Sequence, residues 1–281
     1  MLELLIKTIC APIFPKKLRK KAIKNIANTF VPFGKVYNKK GLLYEKYAPK
    51  NTLIQPKDKC LIICPHPDDE VIGCGGIMAK YGHQFDCVCM SSSGVVRPQE
   101  TLTAPEIADQ RIKEFKEVMK FLRLSHFKIF KIFGKAPHFK QIIQKQDLYT
   151  KEINFGKYDY IFLPDRFDAH REHRLITNFI IPECLKKGNY KKRAKIVFYG
   201  VWSTIFSPNY FEDISEVIDI KEKAVLLYKS RIQSQDNYAS RIKGLNYYYG
   251  LLANTKYAEA YKVIPIKEYL KLEDDKSWAQ L

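Results

Sequence analysis

The chain has 281 residues, 46% of them apolar and 28% charged, a balance that supports a sizeable buried core and excludes an intrinsically disordered chain. Its formal charge of +18 suits an anionic partner, whether phospholipid head groups, a phosphorylated substrate or nucleic acid. No run of about 20 apolar residues is present to cross a bilayer.

Met1 to Phe14 is apolar, but Glu3 and Lys7 interrupt it and no small-residue cleavage site follows, so a secretory signal is not expected. Residues 1–40 hold ten Lys or Arg against the single acid Glu3. Leu18, Ala22, Ile26 and Phe30 fall on one stripe, which predicts one or two amphipathic helices broken near Pro12 and Pro15. Such helices either lie on a membrane surface or pack on their own domain. Residues 1–45 therefore read as a basic amphipathic extension and 46–281 as one domain, with a linker over about 40–58.

From Lys59 the pattern alternates. Cys60 to Cys64 is a short apolar run expected of a strand covered on both faces. A helix is predicted over Glu70 to Lys80 and a strand over Phe85 to Met90. Ile107, Arg111, Phe115, Val118 and Leu122 recur at three or four residues, predicting a helix from Ala104 to Leu124. Strands are predicted at Lys128 to Phe133, Tyr158 to Leu163, Lys195 to Val201 and Ala258 to Ile264. Helices are predicted at 138–152, 171–187, Lys221 to Ser234 and Ala239 to Ala253. This alternation implies a single open, mostly parallel sheet with helices on both faces, a Rossmann-like α/β class.

The seven cysteines are odd in number and lie mostly in apolar runs, with no Cys-x-x-Cys pair. That favours reduced, buried thiols and a cytoplasmic protein.

Two segments carry chemistry. Pro65-His66-Pro67-Asp68-Asp69-Glu70 follows the first buried strand, and in an open α/β sheet ligands bind outside the carboxyl ends of the strands. An imidazole and a carboxylate three positions apart can converge on one ion, and mixed nitrogen and oxygen donors suit zinc. Acids at a helix start also serve the helix dipole with no metal involved. Asp165 to Arg174 follows another strand, and three of the six histidines, His66, His170 and His173, fall in these two turns.

Taken together, the two turns resemble the PIG-L/LmbE superfamily of zinc-dependent N-acetylglucosaminyl deacetylases. The resemblance runs from about residue 58 to 265. Arg111 and Glu114 look like its Arg-x-x-Glu pair, Asp219 to Gln235 like its Lys-x-x-Ala helix ending in Ser-Gln, and Tyr257 to Tyr261 like its closing strand. It implies His66, Asp69 and His173 as ligands of one catalytic zinc, and Asp68 as general base. His170 is then the group that stabilises the oxyanion or protonates the leaving amine. Asp168, Arg111 and Arg97 are candidate substrate contacts. Glu172 stands where the family usually has Asp, a methylene longer, which could shift the site.

The function so implied is removal of an acetyl group from an N-acetylated sugar in a glycolipid, surface polysaccharide or small glycoside, with residues 1–40 touching an anionic membrane face. One alternative is a membrane- or nucleic-acid-binding protein with a vestigial site. No specific nucleic acid is expected, because no helix-turn-helix, zinc-finger or aromatic-platform signature is present. A metal-dependent phosphoesterase is the other alternative, and it commonly needs a second ion with ligands beyond these turns.

Overall fold

The computed structural model describes residues 37–38, 41–42, 53–93, 102–132, 139–205, 207–232 and 238–272, and the chain divides into units 1–48 and 49–281. The helices expected over residues 1–31, most of the 40–58 linker, and Arg97 lie outside the described residues. In the first unit, the two-residue strands Tyr37–Asn38 and Gly41–Leu42 pair antiparallel.

In the second unit, the run Cys60–Cys64 forms β1, buried at every position. A strand with no polar face must be covered on both sides. Cys60, Ile62 and Cys64 enter one core cluster, whereas Leu61 and Ile63 enter another on the opposite face. The remaining strands are β2 (Phe85–Cys89), β3 (His126–Ile129), β4 (Tyr160–Pro164), β5 (Lys195–Tyr199), β6 (Tyr210–Asp213) and β7 (Ala258–Pro265). They form one seven-stranded sheet in the order β3-β2-β1-β4-β5-β7-β6. Only β7 runs against its neighbours.

Helices cover both faces, as the alternation predicts. The first cluster takes side chains from α1 (Asp69–Tyr81), α2 (Ala104–Phe121), α7 (Ile218–Leu226) and α9 (Tyr238–Ala253). The second takes them from α3 (Phe139–Gln144), α4 (Gln146–Glu152), α6 (Ile181–Lys187) and α10 (Ile266–Lys271). The short helices α5 (Arg171–Leu175) and α8 (Lys229–Ile232) complete the set.

The expected boundaries shift in places. The strand expected at 128–133 runs over His126–Ile129, and the helix expected at 138–152 breaks at Lys145 into α3 and α4. The helix expected at 171–187 contains a π turn, Ile176–Ile180, between α5 and α6. Pro182 has no N–H to offer the carbonyl four residues earlier, and a widened turn is a common way to absorb such a gap. β6 and α10 were not anticipated.

Helix α1 is the element that leads away from the first motif, and its backbone is held unusually closely. A Cβ on Gly73 would fall 2.2 Å from the Tyr199 ring, so only glycine lets α1 lie this near β5. Farther along α1, the Glu259 carboxylate accepts from the backbone N–H groups of Gly76 (2.7 Å) and Ile77 (2.9 Å). Lys221 of α7 donates to Glu259 (2.7 Å) and to the Ile72 carbonyl (2.8 Å), and Tyr261 donates to Glu259 (2.7 Å). A fully buried ion pair with all its partners in place thus ties α1 to α7 and β7.

Candidate active site

The strand order reverses beside β1, whose neighbours are β2 and β4. At such a switch point the loops leaving adjacent strands diverge and open a crevice at their carboxyl ends. Both sequence motifs emerge there, one after Cys64 and the other after Pro164.

The first turn is tight. The Asp69 side chain accepts from the His66 N–H at 2.8 Å, and the Asp69 N–H donates back to the His66 carbonyl at 3.3 Å. Between them Asp68 has φ 106°, a left-handed region that costs a residue bearing Cβ about 1–3 kcal/mol. The Asp68 N–H is held by Glu70 Oε2 at 3.2 Å, and Tyr228 donates to the other Glu70 oxygen. Burial, with the charges of Asp68 and Asp69 adding to it, pushes the Glu70 carboxyl up to about 8 against the Tyr228 hydrogen bond. Glu70 thus braces the turn through both of its oxygens.

The second turn brings its imidazoles onto the first. Three atoms from the two motifs form a nearly equilateral triangle. His66 Nδ1 lies 3.2 Å from Asp69 Oδ2, His173 Nε2 lies 3.1 Å from the same oxygen, and the two nitrogens are 3.3 Å apart. Ligands about 2.0 Å from a tetrahedral ion are separated by about 3.3 Å, so this triangle has the size of one face of a zinc coordination sphere. The other oxygen, Asp69 Oδ1, is buried without a hydrogen-bond partner. His66, Asp69 and His173 could thus hold one divalent ion from three corners. His66, His170 and His173 also each offer a nitrogen within 4.8 Å of the others, so His170 stands near enough to join or face the ion.

Two of the imidazoles have an acid behind them, His66 within hydrogen-bond reach and His173 as an ion-pair contact. Glu172 Oε2 lies 2.6 Å from His66 Nε2, which turns the Nδ1 lone pair towards the triangle. Asp168 Oδ1 lies 3.2 Å from His173 Nδ1, which turns Nε2 towards it. Carboxylates behind ligand histidines fix the tautomer and raise basicity. The longer Glu172 side chain thus reaches across to the first motif's histidine.

The charges are strongly coupled. Burial depresses His173, but Asp69 and Asp168 outweigh it and bring the imidazole up to about 9. Burial would raise Asp69, yet His173 and His66 hold it far below the usual carboxylate range. For His170, burial and the neighbouring His66 and His173 all act downward, to about 4, leaving a neutral ring. Its Nδ1 accepts from the Glu172 N–H at 3.3 Å at the start of α5, so the proton of the neutral ring resides on Nε2.

The remaining expected residues lie as follows. Asp68 is buried beside the triangle's turn. Asp168, expected as a substrate contact, is fully buried, and beyond His173 it accepts from the His170 N–H (2.8 Å) and the Trp202 N–H (3.0 Å). Arg111 is buried and donates to the Ser93 carbonyl beyond β2. Glu114 accepts from Ser230 N–H (3.0 Å) and Oγ (2.5 Å), so it caps α8. The roles of Tyr228 and Trp202 had no local sequence signal, because both contacts cross more than 30 residues.

Residues 61–183 match the PIG-L family, described as GlcNAc-PI de-N-acetylase, so the likeness noted on the motifs holds over that stretch. The chain is 23% identical over 230 residues to a diacetylchitobiose deacetylase of Thermococcus kodakarensis, spanning 74% of this chain and 83% of that one. Its fold is similar to that of the N,N'-diacetylchitobiose deacetylase of Pyrococcus horikoshii solved with an inhibitor, with a TM-score of 0.64 at 24% identity over 75% of this chain and 85% of that one. It is also similar to a 4-carboxy-2-hydroxymuconate hydratase of Pseudomonas putida, with a TM-score of 0.57 at 18% identity over 73% and 96%. The open α/β fold expected from the sequence is the fold of these structures.

Proposed function

We propose that the chain is a metal-dependent hydrolase that removes the acetyl group from an N-acetylglucosamine-type sugar of a glycoconjugate. The observation that carries this reading is the triangle of His66 Nδ1, Asp69 Oδ2 and His173 Nε2, sized for one ion. The named activity of the diacetylchitobiose deacetylases supports it. The hydratase, sharing the fold, is a reminder that the reaction is carried by the residues of the site.

In this reading His66, Asp69 and His173 hold a zinc ion, which when bound polarises the acetamide carbonyl and acidifies a water near neutral pH. Asp68 is the base that would take a proton from the attacking water. The strained Asp68 backbone, braced by Glu70, fixes the direction from which the carboxylate approaches. His170, neutral with its proton on Nε2, keeps that proton and donates a hydrogen bond to the oxygen of the tetrahedral carbon, while the proton taken up by Asp68 passes to the amine as the C–N bond breaks. Asp168 and Glu172 are positioning residues, holding His173 and His66 respectively.

The phosphoesterase alternative is weaker on this geometry. A second ion needs further acids, and two of those in these turns, Glu172 and Asp168, are already turned onto imidazoles. The six described cysteines are free and buried, which supports a reducing, cytoplasmic setting, and among the described residues no helix is long and apolar enough to cross a membrane.

The test is acetate release from N-acetylglucosamine and N,N'-diacetylchitobiose by the zinc-loaded protein, with the free amine identified by mass. Release that chelation abolishes and zinc restores is expected. Zinc bound stoichiometrically with no acetate released from either sugar rules the reading out.

A further inference from the structure

Two large aromatic side chains remain exposed beside the crevice although nothing in the hydrolytic reading uses them. Phe167 is 49% exposed and Trp202 is 46% exposed. Their placement follows from the sheet register. β4 and β5 pair with Pro164 opposite Tyr199, and each aromatic lies three residues beyond its member of that pair. The two loops therefore leave neighbouring strands side by side at the same edge of the sheet as the metal triangle.

Trp202 is also tied to the triangle. Its backbone N–H donates to Asp168 Oδ2 at 3.0 Å, and Asp168 Oδ1 lies 3.2 Å from His173 Nδ1. Only the width of one carboxylate separates the backbone of Trp202 from a ligand histidine. The loop is also built as a tight turn. A Cβ on Gly200 would fall 2.5 Å from the Ser203 carbonyl oxygen, and Ile205 returns into the core. A turn this constrained presents the indole outward at a fixed place without mobile chain to fold it away. Phe167 is braced too, with the Arg166 guanidinium 5.2 Å from its ring centroid and Arg166 itself held by Asn178 and the Leu272 carbonyl.

Single exposed aromatics are common on folded chains, so what singles out these two is their place at the carboxyl ends of β4 and β5, beside both motifs. A pyranose ring has C–H bonds on its faces and hydroxyls on its edge, so a flat aromatic surface matches its face while the edge stays hydrated. Aromatic side chains supply large contact area at low entropic cost and dominate recognition where they are fixed in place. Resting on the deacetylase reading, we infer that Trp202, with Phe167 beside it, forms a rim that binds a pyranose ring of the substrate adjoining the acetamide under attack. The preferred substrate then has at least two linked rings.

The experiment measures N,N'-diacetylchitobiose and N-acetylglucosamine binding by calorimetry, and acetate release from both, for the zinc-loaded full chain and for Trp202→Ala, Trp202→Phe and Phe167→Ala. Because residue 202 is half exposed and touches Asp168 only through its backbone N–H, Trp202→Ala keeps the hydrogen bond to Asp168 and the fold. The expected result is disaccharide affinity about tenfold or more weaker in Trp202→Ala, within about threefold of wild type in Trp202→Phe, and severalfold weaker in Phe167→Ala. KM for the disaccharide rises in step, kcat stays within about twofold, and the monosaccharide is little affected. Equal disaccharide affinity in wild type and Trp202→Ala overturns the rim, even if acetate release is vigorous. Binding that depends on Trp202 with no acetate released overturns the hydrolytic reading and leaves the rim standing.

Discussion

Asp68 occupies a backbone region that favours glycine, and it does so at the turn where two ligand candidates meet. A chain selected for stability alone would relieve that strain. Asp68→Gly is therefore expected to raise stability by about 1 kcal/mol while removing turnover, whereas Asp68→Ala removes turnover without that gain. Thermal unfolding and acetate release on the same preparations check both, and an Asp68→Ala variant with undiminished rate ends its role as base. His173 yields a pH prediction. Its imidazole is held up to about 9 between Asp69 and Asp168, so at pH 7 the metal-free site carries a proton that an ion must displace. Zinc affinity should rise as pH increases from 7 towards 9, by up to about tenfold per unit, and flatten above 9. Calorimetry in buffers of different ionisation enthalpy should count about one proton released per zinc at pH 7. No proton release would mean that His173 is neutral before binding. That the motif histidines and Asp69 lie at strand ends was legible from the alternation of elements, whereas their roles as ligands rested on the family resemblance. Only part of what Asp168 touches was legible: it holds the His170 N–H two residues on, but its contacts with His173 and with Trp202, 34 residues away, have no local signal.

At the scale of elements, what the sequence revealed and what it hid divide by the range of the forces involved. The strand β1 and the helices α2 and α9 carry enough periodic apolar residues to be read directly. β6 has only four residues, exposed at one end and half-buried at the other, and it exists because β7 pairs with it. The π turn lies just before Pro182 in a helix that looks continuous in periodicity. Lys221 is the sharpest case. On a sequence of this charge it reads as one more solvated lysine, yet its side chain is 1% exposed and paired with Glu259 inside the core. Removing one member of a buried pair leaves the other charge without compensation. Lys221→Met is accordingly expected to destabilise the fold by about 3–5 kcal/mol, and Lys221→Met combined with Glu259→Gln to recover a substantial part of the loss. Denaturant unfolding of the two variants and of Glu259→Gln decides it. Additive losses would show that the pair is not coupled and that α1 is held by other contacts.

For the whole molecule, the distribution of charge separates from the chemistry of the crevice. The proposed site is built from carboxylates and imidazoles, and the basic residues crowd residues 1–40, far from both motifs in sequence. Charge of this density attracts anionic surfaces over a Debye length of about 8 Å in physiological salt and loosens as salt rises. Each basic residue brought to an anionic leaflet contributes about 1 kcal/mol, so several acting together suffice for reversible adsorption. The full chain is expected to sediment with vesicles of phosphatidylcholine containing about 30% phosphatidylserine at low salt, and to leave them at about 0.5 M salt. Replacing Lys16, Lys17, Arg19, Lys20, Lys21 and Lys24 together with glutamine should abolish most of that binding. It should leave acetate release from a soluble disaccharide within about twofold, because none of these charges belongs to the catalytic set. Vesicle binding that survives both high salt and the six substitutions would point to apolar insertion rather than charge. A parallel collapse of turnover on the soluble sugar would instead tie residues 1–40 to the crevice itself.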